Sequence, residues 1–163
     1  MILSVTGHRP PSLVGGYRDC NRYLIPIAEV ALSRIQPEKV LTGMALGWDQ
    51  TIAYVCWCLN IPFVACIPCD DFGSNWPSES RIRYRLFLDR ASEIVLVNEG
   101  EYEAWKMLKR DDYMVDNSDS VLALWSGIQH GGTFHTVQYA LAHGKTVDNC
   151  WEAYADRWNL KGE

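Results

Sequence analysis

Short apolar runs alternate along the chain with longer segments of helical periodicity, and this alternation is its clearest signal. Ile2 to Thr6, Lys39 to Thr42, Pro62 to Pro68, Glu93 to Val97 and Val121 to Leu124 read as strands, with Thr146 to Asn149 as a short last one. Between them Tyr23, Leu24, Ile27, Ala28, Ala31 and Leu32 form a helical stripe in which Pro26 marks either a start or a kink. Ile52, Ala53, Val55, Cys56 and Leu59 indicate a second helix, and Ile82, Leu86 and Phe87 a third with Ser78 placed to cap it. Glu99 to Glu103 read as a turn and the acidic first turn of a fourth helix that ends near Asn117, a fifth covers 133 to 143, and Trp151 to Trp158 is a terminal helix. Five or six strands alternating with helices predict one α/β domain over residues 1–163, a three-layer sandwich with a mostly parallel sheet and right-handed crossovers.

In such a sheet, ligands gather beyond the C-terminal ends of the strands. Three glycine-bearing turns follow strands one, two and five. In Gly7-His8-Arg9-Pro10-Pro11, Gly7 lets the backbone approach a phosphate and Arg9 offers a forked donor; the plainer role for His8 and Arg9 is to hold the loop. The second turn, Gly43-Met44-Ala45-Leu46-Gly47-Trp48-Asp49, is neither a GxGxxG fingerprint nor a P-loop, which disfavours P-loop ATP hydrolysis. Asp49 suits either a helix cap or an acceptor for ribose or base. Gly131-Gly132-Thr133 precede a helix with Val137, Ala140 and Leu141 on one face, so unpaired N–H groups at the positive end of its dipole invite an anion. Trp48, Trp76 and Trp125 are candidates to stack a base, although an aromatic beside a proline, as Trp76 is beside Pro77, more often pins its loop to the body. Arg81 and Arg85 share a helix face that solvent or salt bridges would ordinarily occupy, and Lys106, Lys109 and Arg110 read as neutralising the C-terminal half of their helix.

Composition narrows the function classes. The 163 residues are 48% hydrophobic and 21% charged, as in a soluble globular protein, and no apolar run approaches the roughly 20 residues of a membrane span. The N-terminus lacks the basic region and long apolar core of a secretory signal, so a cytoplasmic location and no membrane partner are expected. A net charge of −5 argues against extended nucleic acid but leaves room for a small anionic ligand. The six cysteines are expected as buried free thiols; Cys66-Ile-Pro-Cys69 is a pair without the rest of a tetrahedral set, and neither metal nor cofactor is expected. Self-association is compatible with this composition.

Four ordered segments carry a family resemblance: Thr6-Gly7-His8-Arg9-Pro10, Thr42-Gly43-Met44-Ala45-Leu46-Gly47-Trp48-Asp49, Tyr113-Met114-Val115-Asp116-Asn117-Ser118-Asp119, and Gly131-Gly132-Thr133 with Thr136-Val137 and Gly144-Lys145. Together they resemble the YpsA-like branch of the SLOG superfamily, whose relatives include the DNA-uptake protein DprA and the phosphoribohydrolases called LOG. The resemblance implies a Rossmann-like domain that binds a nucleotide or nucleotide-derived small molecule. It also implies ligand-facing positions at Gly7, His8 and Arg9, at Gly43, Leu46, Gly47 and Asp49, at Asp116, Ser118 and Asp119, and at Gly131, Gly132, Thr133 and Thr136.

LOG-type enzymes carry a PGGxGTxxE pattern whose glutamate supports N-glycosidic cleavage, and here Thr136 stands where that glutamate would be. A hydroxyl does not stabilise an oxocarbenium charge as a carboxylate does. The expectation is therefore binding first: sensing, carrying or sequestering a phosphorylated nucleoside such as an ADP-ribose-like or cyclic nucleotide. In that reading phosphate lies on the Gly131 to Thr133 turn, Arg9 neutralises it, and Asp49 or Asp119 takes ribose hydroxyls. The alternative is an N-glycosidic hydrolase or transferase with Asp49 or Asp116 as its carboxylate. A DprA-like binder of single-stranded DNA is the third class, weakened by the acidic balance.

Overall fold

The computed structural model describes residues 1–162. Its apolar runs form β1 (Ile2–Gly7), β2 (Lys39–Thr42), β3 (Phe63–Ile67), β4 (Glu93–Leu96), β5 (Ser120–Leu124) and β6 (Thr146–Asn149). They lie in the order β4-β3-β2-β1-β5-β6, and each neighbouring pair is parallel. The helices are α1 (Gly16–Ile35), α2 (Trp48–Cys58), α3 (Ser78–Arg90), α4 (Ala104–Asp116), α5 (Gly131–Ala142) and α6 (Trp151–Arg157), with a short 3-10 turn at Pro10–Ser12. This is the expected Rossmann-like three-layer sandwich, with a wholly parallel six-stranded sheet.

The layers follow from which side chains the strands present to each face. Leu3, Val5, Leu122 and Leu124 pack with Leu24 and Leu32 of α1, Ile52 of α2, Phe87 of α3 and Tyr154 of α6. On the other face Leu41, Val64 and Cys66 meet Met114 of α4, while Val121 meets Val115 of α4 and Ala140 of α5. Covered on both sides, β3 and β5 are buried throughout, which explains why they read as unbroken apolar runs. The edge strand β4 is mostly exposed. Pro26 neither starts nor ends α1, which runs from Gly16 through it to Ile35.

One topological feature positions everything that follows. The chain builds from β1 outward through β2, β3 and β4, then returns to place β5 on the other side of β1. At this reversal, loops leaving the C-terminal ends of β1 and β5 diverge to opposite faces and leave a crevice between them.

Candidate functional site

The crevice holds a cavity of about 270 Å³. Gly7, His8 and Arg9 bring the β1 loop to it, Ala45 and Asp49 the β2–α2 turn, and His130 to Thr133 the start of α5. The three glycine-bearing turns therefore meet at one place. Gly131, at φ +89, starts α5 in a conformation that residues with a Cβ rarely adopt. Among the described residues no side-chain bond caps α5 at its N-cap residue His130, which leaves the first amides of the helix, at a turn that lines the cavity, without a side-chain partner.

The other glycines serve close packing. A Cβ on Gly7 would lie 2.4 Å from the buried Trp48 ring, and one on Gly43 would lie 2.7 Å from the Arg110 guanidinium. One on Gly47 would lie 2.7 Å from the His8 carbonyl oxygen, so the β1 and β2 loops are in direct contact. Gly7 thus makes room for Trp48 while its backbone lines the cavity.

Charged groups line the floor. Arg110 is buried, donating from one terminal nitrogen to the carbonyl oxygens of Gly43 (2.6 Å) and Cys66 (3.2 Å), and from Nε to Asp111 Oδ1 (2.7 Å). Burial works against its charge, but Asp111 and Asp49 outweigh it and hold the Arg110 pKa above its ordinary value. Asp49, buried beside it, accepts a long bond from the Ala45 N–H (3.4 Å). Loss of solvent pushes its carboxyl up to about 7, against the opposing pull of Arg110 and with added repulsion from Asp111. The crevice therefore contains a carboxyl that exchanges its proton near neutrality.

His8 spans the crevice. Its Nε2 accepts the Ser126 N–H (2.8 Å) and lies 2.9 Å from the Ser126 hydroxyl, and burial lowers its pKa. Accepting from an amide fixes the neutral ring with its proton on Nδ1. The imidazole ties the β1 loop to the β5 loop. Arg9, by contrast, is exposed, and among the described residues no carboxylate forms an ion pair with it.

The profile of the YspA SLOG family, named YpsA, matches residues 3–149, which takes in the sheet and all three loops of the crevice. The chain belongs to the YspA SLOG family. It is 29% identical to the SPbeta prophage-derived protein YoqJ of Bacillus subtilis (strain 168), over 72% of this chain and 77% of that one. It is 22% identical to a UPF0398 protein of Lysinibacillus sphaericus (strain C3-41), over 78% of this chain and 77% of the relative. Among solved structures it superposes on DNA processing protein A of Helicobacter pylori, described by its single-stranded DNA binding mode, with a TM-score of 0.64 and 17% identity, covering 91% of this chain and 64% of that one. That likeness is one of fold.

In this YspA SLOG chain not every residue singled out by sequence reaches the crevice. Asp116, Ser118 and Asp119 sit at the opposite end of the sheet, because residues that precede a strand lie at its N-terminal end. Asp116 accepts a bond from the Tyr139 hydroxyl (2.9 Å), tying α4 to α5. Ser118 bonds Ser4 (2.9 Å), and Asp119 accepts the Ile2 N–H (2.6 Å). Thr136 is buried and donates back to the Gly132 carbonyl (2.8 Å) along its own helix. Leu46 lines a neighbouring cavity, and Trp48 is wholly buried, so it stacks on no ligand.

The sequence reading passed over Arg110 and Asp111. Lys106 and Arg110 read in sequence as neutralising the C-terminal half of their helix, yet both are buried, and Lys106 donates to the Glu99 (2.8 Å) and Glu101 (2.6 Å) carbonyls. Their i, i+4 spacing to Met114, on the core-facing side of α4, was the available signal. Of the cysteines, Cys58 is exposed and the other five are buried, all as free thiols.

Proposed function

We propose that this crevice binds a nucleotide or nucleotide-derived small molecule, with its phosphate on the first turn of α5. The observation that carries the reading is the meeting of an uncapped helix start, Gly131 to Thr133, and the unpaired Arg9 at the reversal point of a parallel sheet. Backbone N–H groups and the helix dipole supply the anion site, and a guanidinium supplies a forked, charge-assisted donor. The bound molecule is sensed, carried or sequestered. Gly132→Glu places a carboxylate at this turn without disturbing the core, since a Cβ there is only 3.7 Å from its nearest neighbour, Asp111 Oδ2. Isothermal titration with a nucleotide panel is expected to show binding by the wild type and none by Gly132→Glu, with unchanged circular dichroism. Equal affinity in the folded variant would overturn the phosphate assignment.

Asp49 favours a second reading, N-glycosidic cleavage. A carboxyl raised to about 7 inside the cavity can give a proton to a departing base, whereas Asp116 is too far away to take part. Release of free base from a nucleotide, followed by chromatography and abolished in Asp49→Asn, would establish turnover over retention.

A further inference from the structure

Next to the crevice lies a second cavity of about 230 Å³, walled by Pro10, Tyr17, Leu46, Asn75, Trp76 and Pro77. Arg9 borders both cavities, and so do adjacent residues of one turn, Ala45 facing the first and Leu46 the second. The loops that separate them are in contact, since a Cβ on Gly47 would meet the His8 carbonyl, the Arg9 Cα and the Pro10 ring at 2.7 to 3.3 Å. Taken singly, each cavity falls below the roughly 300 Å³ at which small-molecule pockets begin, while the two joined at Arg9 fall within the usual range.

The second cavity has the chemistry of a ring slot. Its walls are mostly apolar, two aromatic side chains border it, and Asn75 adds an exposed carboxamide with both donor and acceptor. Trp76 is held from behind: its ring lies over Gly73, where a Cβ would sit 2.8 Å away, and meets Phe72 and Tyr84 edge-on at 5.0 and 5.4 Å. An indole fixed by three neighbours loses little freedom when a second ring stacks on it. Tyr17, 66% exposed at the start of α1, is a large aromatic left facing solvent at the mouth of this slot.

We infer that the nucleobase of the ligand lies in the slot bordered by Tyr17 and Trp76, so that Arg9 stands between base and phosphate. The inference rests on the phosphate reading above and names a specificity subsite for it. Stacking tolerates any base, and Asn75 is the group that would choose among them through hydrogen bonds to a base edge.

Titration calorimetry with the four ribonucleoside 5′-monophosphates and with ribose 5-phosphate tests it. At least one monophosphate is expected to bind the wild type roughly 10- to 100-fold more tightly than ribose 5-phosphate, the range that stacking of one base supplies. Trp76→Ala should remove that advantage and leave ribose 5-phosphate binding unchanged, which also reports that the fold survives; Trp76→Phe should restore most of it. Equal binding of monophosphates and ribose 5-phosphate by the wild type overturns the slot. So does a Trp76→Ala variant that keeps the advantage or weakens every ligand alike, and so does a wild type that binds none of the five. If ribose 5-phosphate binds and Gly132→Glu abolishes it while the base adds nothing, the slot falls and the phosphate site stands.

Discussion

Asp49→Asn isolates the electrostatics of the crevice floor. Burial raises the Asp49 carboxyl from 3.8, its ordinary value, to about 7. The unfolded chain therefore gives up this proton near pH 4, while the folded chain keeps it to neutrality. In that window the folded state binds more protons, so stability falls as pH rises from about 4 to about 7 and is flat above it. Three pKa units at 1.36 kcal/mol each set the whole effect at about 4 kcal/mol, of which about 2.5 kcal/mol falls between pH 5 and pH 8. The opposite trend comes from His8, whose lowered pKa removes stability as pH falls through the ordinary histidine range. It is present in both proteins and cancels in the difference. Urea unfolding of wild type and Asp49→Asn at pH 5 and pH 8 reads the double difference directly. The wild type should lose about 2.5 kcal/mol relative to the variant on going from pH 5 to pH 8. Parallel pH profiles in the two proteins would refute the assignment of a protonated, desolvated carboxyl.

Two further substitutions probe how the loops are held. Gly7→Ala forces a methyl into the buried Trp48 ring at 2.4 Å and should cost about 1–3 kcal/mol in chemical denaturation, as overpacking of a tight core does. Arg110→Met leaves Asp111 and the Gly43 and Cys66 carbonyls without their donor, and should lower stability by about 3–5 kcal/mol in the same assay.

Strands and helices were legible because the four inner strands β1, β2, β3 and β5 are largely buried, while the two edge strands β4 and β6 are not, and the helices pack apolar stripes on the sheet. The expected boundaries of β2 and β6 coincide with those observed, and β1 and β5 differ by a residue at one end. What sequence could not supply was strand order, which decides which strand-end loops meet at the crevice; the end of the sheet a motif occupies follows instead from whether it precedes or follows its strand. Asp116, Ser118 and Asp119 precede β5 and so anchor the end away from the crevice, although they sit only a few residues in sequence from its other members. Burial of charge was equally hidden. Arg110 reads in sequence as a charge that offsets the helix C-terminus, and only its place on the apolar stripe of α4 pointed inward. The demand that Trp48 places on Gly7 was hidden too, because the residues are far apart in sequence and meet only in the fold.

The polar groups at the crevice divide into those already committed and those left available. His8 accepts from Ser126, Arg110 is engaged by two carbonyls and Asp111, and Thr136 donates into its own helix. On the phosphate reading proposed above, the groups left for an anion are the α5 amides and Arg9, which lie on different loops on either side of the sheet reversal. Asp111 lies beside Gly132 and opposes negative charge in the cavity, although its bond to Arg110 (2.7 Å) offsets part of that repulsion. Asp49 works in the same direction once ionised, and its proton near neutrality keeps that repulsion in check. On the proposed reading, a site built this way suits one phosphate held by one helix start and one guanidinium.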